Sequence, residues 1–92
     1  MDATAEIQLV PIGAGVSVRK EIRRATEILR GFDLTAETHA SGTNLEGDLS
    51  TILRAVETLH ETLHREGVVR LVSYLKLETR TDKKPTLAGK RL

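Results

Sequence analysis

Hydrophobic and polar residues change their period several times along the chain, and each change marks an element. In Glu6-Ile-Gln-Leu-Val-Pro-Ile-Gly-Ala-Gly-Val-Ser-Val18 a short β-like run breaks at Pro11, crosses a glycine loop and enters a helix at Ser17. Proline fixes φ and removes a donor, glycine permits positive φ, and Ser17 is placed to cap the helix's first turn. Over residues 18–30, Val18, Ile22, Ala25, Ile28 and Leu29 recur at spacings of three and four, and Gly31 follows as a stop. Residues 34–40 alternate, Ser41-Gly42 signals a turn, and residues 43–47 read as extended, which together make a hairpin. Asp48 is placed to cap a second helix, whose Leu49, Ile52, Leu53, Val56, Leu59 and Leu63 form one stripe ending at Gly67. Residues 68–78 give the strongest strand. Beyond Asp82 the tail mixes charges with breakers and has no period, so residues 1–82 are expected to form the single domain and 83–92 a mobile tail unless a partner chain holds it.

The order βαββαβ predicts an α+β, ferredoxin-like fold: a four-stranded antiparallel sheet with two helices on one face. Strand alternation assigns Val69, Leu71, Ser73, Leu75 and Leu77 to the helices. The open face then combines Gln8, Val10, His39, Asn44, Glu46, Arg70, Val72, Tyr74 and Lys76. Such a half-apolar, half-charged surface suits another subunit or a polar ligand.

Composition narrows the possible partners. The 92 residues carry no cysteine, which excludes disulfides and thiolate metal sites and suits a reducing, cytoplasmic setting. Fourteen basic and 13 acidic residues are intermixed for a net charge of +1, and the aromatics are only Phe32 and Tyr74, so nucleic-acid binding has little support. Mixed signs among Arg19, Lys20, Glu21, Arg23, Arg24 and Glu27 describe a solvated helix face. Neither a run of the roughly 20 apolar residues needed to cross a bilayer nor a signal-peptide pattern is present, and no membrane partner is expected. A domain of this size buries only about 60–65% of its unfolded surface, so self-association is a reasonable source of added stability.

Three segments, Pro11-Ile-Gly-Ala-Gly-Val-Ser17, Thr43-Asn-Leu-Glu-Gly-Asp48 and Lys76-Leu-Glu-Thr-Arg-Thr-Asp82, resemble in order and spacing the small thiamine-binding protein family over roughly residues 6–82. The resemblance implies a ferredoxin-like subunit that forms homodimers and commonly homotetramers through its sheets. It also implies binding of thiamine or its hydroxymethylpyrimidine moiety without turnover or cofactor. The chain departs from the family pattern at Asn44, where members are usually apolar, and at Glu78-Thr79, where members tend to carry two aspartates. An aminopyrimidine offers ring acceptors and an exocyclic amine, and a thiazolium is cationic, so a carboxylate beside a hydroxyl or amide would suit both. Glu46, with Thr43 and Asn44, fits that description. Its alternative role is an ion pair with Arg70 or Lys76. Gln8 and His39 are further candidates for a polar rim, and Ser17, first of all a helix cap, is a candidate ligand contact.

Two other motifs point elsewhere. His60-Glu61-Thr62-Leu63-His64 matches the pattern of zinc hydrolases, in which two histidines one turn apart bind metal and glutamate activates water. The third ligand position of the extended motif is Arg70, a permanent cation, and no histidine follows His64, so a protein metal site is not expected. At Gly13-Ala-Gly15 free amides before a helix could hold an anion, but Val18 stands where a dinucleotide fingerprint needs its third glycine. Neither a nucleophile with its base nor a full ligand set argues for an enzyme. An assembly or regulatory module, using the open face only for contact, is the alternative to a small-molecule binder.

Overall fold

The computed structural model describes the chain except Ala14, Val16, Ser17 and Leu92. Strand β1 (Asp2–Ile12) leads to helix α1 (Arg19–Arg30), strands β2 (Thr35–His39) and β3 (Gly42–Asp48), helix α2 (Leu49–Arg65) and strand β4 (Arg70–Glu78). The four strands form one antiparallel sheet in the order β2-β3-β1-β4. This is the ferredoxin-like βαββαβ arrangement.

β1 is longer than the sequence pattern suggested at both ends. At its start, Ala3, Thr4 and Ala5 are buried between β3 and β4, and the pairing runs on to Asp2 opposite Asp48. Alanine carries too little hydrophobic signal to announce a strand, but at a position flanked by two strands and covered by helices its small side chain fits. At the other end β1 passes through Pro11, which pairs with Leu71 of β4. Pairing with β3 stops at Ile7, so the ladder beyond has one free side, where a missing N–H leaves no partner unsatisfied.

Both helices lie on the inner face of the sheet. Ala25, Ile28 and Leu29 of α1 and Ile52, Ala55 and Leu59 of α2 close over Ala3, Ala5, Ile7 and Leu45. Leu53, expected in this stripe, is 47% exposed; Ala55 occupies the core instead, because positions 52, 55, 59 and 63 hold the face turned to the sheet. α1 begins at Arg19, with Val18 at the cap position and its carbonyl accepting from the Ile22 N–H at 3.0 Å. The expected cap, Ser17, lies outside the described residues. Asp48 caps α2 as expected: its Oδ2 accepts from the Ser50 N–H at 3.1 Å and also from the Ser50 hydroxyl. Gly67, at φ 109°, carries the chain out of α2 in a conformation that a side chain would strain.

The segment after β4 lies across the open face of the sheet. Pro85 and Leu87 are buried, and residues Ala88–Lys90 form one 3-10 turn. Those contacts define the segment's position, while its mobility is a separate, dynamic property.

Candidate functional site

Alternation on the strands decides which side chains share the open face. On β1 the even-numbered residues point away from the helices, and the register sets Glu6 between Asn44 of β3 and Lys76 of β4. One pair further along, Thr4 lies between Glu46 and Glu78, and on β2 Glu37 stands opposite Asn44. Four glutamates, one from each strand, therefore share one surface, with Lys76 the cation that the sheet places among them. Each is carried by extended backbone with two-residue spacing, so the sheet positions the cluster without any special loop.

His39 orders the β2 side of this surface. The Ser41 backbone N–H donates to His39 Nδ1 at 3.2 Å, which leaves the ring proton on Nε2 in the neutral form. Nε2 lies 3.1 Å from Asn44 Oδ1 and 3.2 Å from Glu6 Oε2. A proton donated toward both oxygens fixes the Asn44 amide with its carbonyl toward the ring and its NH2 free to serve another acceptor.

Glu46 has a partner that the sequence did not suggest. Its Oε1 accepts from the Leu87 backbone N–H at 2.7 Å. Arg70 is paired with Ile12 at the far end of β1, and Lys76 stands opposite Glu6, one pair away from Glu46. The tail supplies the cations as well: Lys90 Nζ lies 2.8 Å from Glu78 Oε1, Arg91 pairs with Glu37, and Lys84 reaches Asp2 at 4.0 Å. The Lys90 ammonium, hydrogen-bonded to Glu78, holds that carboxyl below its usual range. Between sheet and tail is a cavity of about 260 Å³, walled by Thr4, Glu6, Glu37, Asn44, Lys76, Glu78 and the tail's Leu87, Lys90 and Arg91, with Glu46 outside the wall and held to the Leu87 N–H.

Of the six residues singled out from the sequence, Gln8, His39, Asn44 and Glu46 share this face. Gln8 is opposite Tyr74, further along β1 from the glutamates. Thr43 is turned to the helix side, 7% exposed, with its hydroxyl 3.4 Å from that of Thr38. Its neighbours Asn44 and Glu46 face the other way because adjacent residues of a strand cannot share a face. Ser17 lies outside the described residues. Glu6 and Glu37 were missed, although Glu6 shares a two-residue row with Gln8, and Glu37 with His39. Glu78 lies in the outward row of β4 that alternation already gave to Tyr74 and Lys76, and only the fold brings in the tail.

The histidine motif on α2 has local partners. His60 Nε2 is 2.7 Å from Ser73 Oγ on the inner face of β4, and His64 Nδ1 donates to the Val68 carbonyl at 2.7 Å. The two rings are 6.2 Å apart between centroids. Among the described residues no group of three or more His, Asp or Glu side chains is placed to hold a metal ion.

At the glycine loop, where Gly13 and Gly15 have φ of 84° and 91°, a second cavity of about 450 Å³ opens between Ile12, the start of α1 and the end of α2. Its cations are matched by carboxylates: Arg24 contacts Glu66 at 2.9 Å and Glu27 at 3.3 Å, and Lys20 shares the wall with Glu21. The Glu66 bond raises Arg24 above its already high usual value and pulls Glu66 below its usual range. An anion there would have to compete with an existing ion pair.

Over residues 5–91 the chain matches the family described as thiamine-binding protein. It is 44% identical over 86 residues to the UPF0045 protein MJ1052 of Methanocaldococcus jannaschii, covering 94% of this chain and 85% of that one. The crystal structure of MJ1052 superposes with a TM-score of 0.90, covering 97% and 91% of the two chains. The UPF0045 protein sll0230 of Synechocystis is 36% identical, with 98% and 74% coverage. A Thermotoga maritima protein assigned provisionally to thiamine biosynthesis or salvage shares the fold at a TM-score of 0.87 and 24% identity, with 98% and 95% coverage. By its sequence over nearly its whole length, this chain belongs to the thiamine-binding protein family.

Proposed function

We propose that the protein binds a small aminopyrimidine, thiamine or its hydroxymethylpyrimidine moiety, on the open face of the sheet and does not transform it. The convergence of Glu6, Glu37, Glu46 and Glu78 beside the Asn44 amide carries this reading. A carboxylate accepting from the exocyclic amine and a neighbouring amide addressing a ring nitrogen would read the pyrimidine edge, and the remaining carboxylates would favour a thiazolium. The family to which the chain belongs is named for that ligand, and the Thermotoga maritima protein of the same fold is assigned provisionally to thiamine biosynthesis or salvage. The cavity of about 260 Å³ lies just under the ~300–1,000 Å³ of ordinary small-molecule pockets. It suits the pyrimidine alone better than the complete two-ring molecule while the tail is in place. We place the binder in the cytoplasm, in keeping with its cysteine-free composition. In the described residues no helix is long and apolar enough to cross a membrane.

Calorimetric titration with thiamine and with hydroxymethylpyrimidine, in the presence of a chelator, tests the reading. One ligand per subunit or per dimer is expected, and Glu46→Gln should weaken binding by roughly 10-fold or more, since a charge-assisted hydrogen bond is lost. Mass spectrometry should recover the ligand unchanged. The absence of heat with both ligands would reject the proposal.

A second reading is an assembly module. It is favoured by Tyr74, 63% exposed on the same face beside half-buried Val10 and Val72. We propose that this apolar end of the face meets a second copy of the chain while the acidic end binds ligand. If Glu46→Gln abolishes binding and leaves the sedimentation coefficient unchanged, the two roles are separate; loss of assembly alone would favour the module.

A further inference from the structure

The carboxyl-terminal segment covers the surface just described, and its chemistry is the complement of that surface. Four of the chain's 14 basic residues and none of its 13 acidic ones lie in residues 83–92, which leaves ten cations against 13 carboxylates in the rest. Three tail groups engage three carboxylates: the Leu87 N–H with Glu46, Lys90 with Glu78, and Arg91 with Glu37. Resting on the reading of Glu46 as a ligand carboxylate, we infer that the tail is an intramolecular occupant of the binding site, which a cationic N–H donor must displace.

The contacts have the character of a releasable strap. The Lys90 and Arg91 side chains are 48% and 60% exposed, so their ion pairs are screened and individually weak. The apolar hold rests on Pro85 and Leu87, two modest side chains. The segment follows a tight fold in which Arg80 grips Asp82, its Nε 2.6 Å from Oδ1. The donors offered by the tail, a neutral N–H on Glu46 and cations on the flanking carboxylates, match in kind those of an aminopyrimidine joined to a cationic ring. With the tail docked, the remaining space of about 260 Å³ is small for both rings. When a competing state occupies a site, apparent affinity falls in proportion to the fraction of open protein.

The full-length double variant Lys90→Ala/Arg91→Ala removes two exposed cations and leaves the core and the sheet carboxylates in place. Its thiamine affinity should be roughly 2- to 30-fold tighter than that of the unaltered protein, the range that two exposed ion pairs supply. Saturating thiamine should also release the Leu87 amide of the unaltered protein to hydrogen exchange, read residue by residue by NMR. Equal or weaker affinity of the variant, with the Leu87 amide still protected in the complex, would overturn the inference. Benzamidine, a simple cationic N–H donor, separates this inference from the thiamine reading. If thiamine binds neither protein but benzamidine binds the variant more tightly and unprotects Leu87, the ligand assignment falls and the strap stands. If benzamidine also gives no binding, or binds both proteins equally without exposing Leu87, the strap is rejected.

Discussion

At the junction of β3 and α2 one carboxylate carries several duties. The Ser50 hydroxyl, and after it the chain's amino-terminal ammonium 3.0 Å away, hold the Asp48 carboxyl at about 2, against an ordinary 3.8. A carboxyl whose pKa is lowered by folding stabilises the fold in its ionised form. That contribution is complete above about pH 4 and is lost as the pH falls toward 2. Asp48→Asn keeps a good capping side chain but cannot titrate. Urea midpoints measured from pH 6 to pH 2 should therefore show the gap between the two proteins closing below pH 4, and a gap that stays constant to pH 2 would contradict this account. Sequence spacing alone identified Asp48 as a cap, because capping is local. The distribution of partners around Glu46 was not legible in the same way, since its donor lies 41 residues away on a segment without any periodic signal.

The elements are held in register by close approaches that the hydrophobic pattern does not display. A Cβ at Gly42 would stand 2.8 Å from the Ile7 carbonyl oxygen of β1, and that oxygen belongs to a central strand fixed by ladders on both sides at this point. Gly42→Ala should lower stability by roughly 1–3 kcal/mol, the usual cost of forcing a well-packed site apart. A thermal melt equal to that of the unaltered protein would show that β3 can yield. The substitution should also disturb His39, which pairs with Gly42 across the hairpin and orients Asn44. Helices and strands were readable from period, and so was the assignment of the faces: Ser73 meets His60 of α2, while Tyr74 is exposed on the other side. Strand ends were less readable. Buried alanines at positions 3 and 5 gave no apolar signal, and Pro11 looked like a break until the free side of β1 removed the need for its N–H.

For the whole molecule, the sheet has one face closed by helices and the other shared between an acidic patch under the tail and an apolar patch of exposed Tyr74 with half-buried Val10 and Val72. A 92-residue chain buries a limited fraction of its surface, and Val69 remains 90% exposed at the start of β4. If subunits associate through the open face, as we propose, each gains stability by mass action. The melting temperature should then fall as the protein is diluted through its dissociation range, with the oligomer fraction followed by sedimentation velocity. A melting temperature independent of concentration across that range would assign all the stability to the single subunit.

The sequence by itself determined the order of elements, the helix stripes, the Asp48 cap and the alternation that divides the sheet into two faces, because each depends on residues within one or two turns of each other. It also placed Glu46, Asn44, His39 and Gln8 on one face by parity. Only the tertiary structure decided the register that sets Glu6, Glu37 and Glu78 beside them, and that residues 83–91 fold back to meet these carboxylates. Register and long-range docking arise from matching distant surfaces, and a local hydrophobic period contains no information about which distant surface will fit.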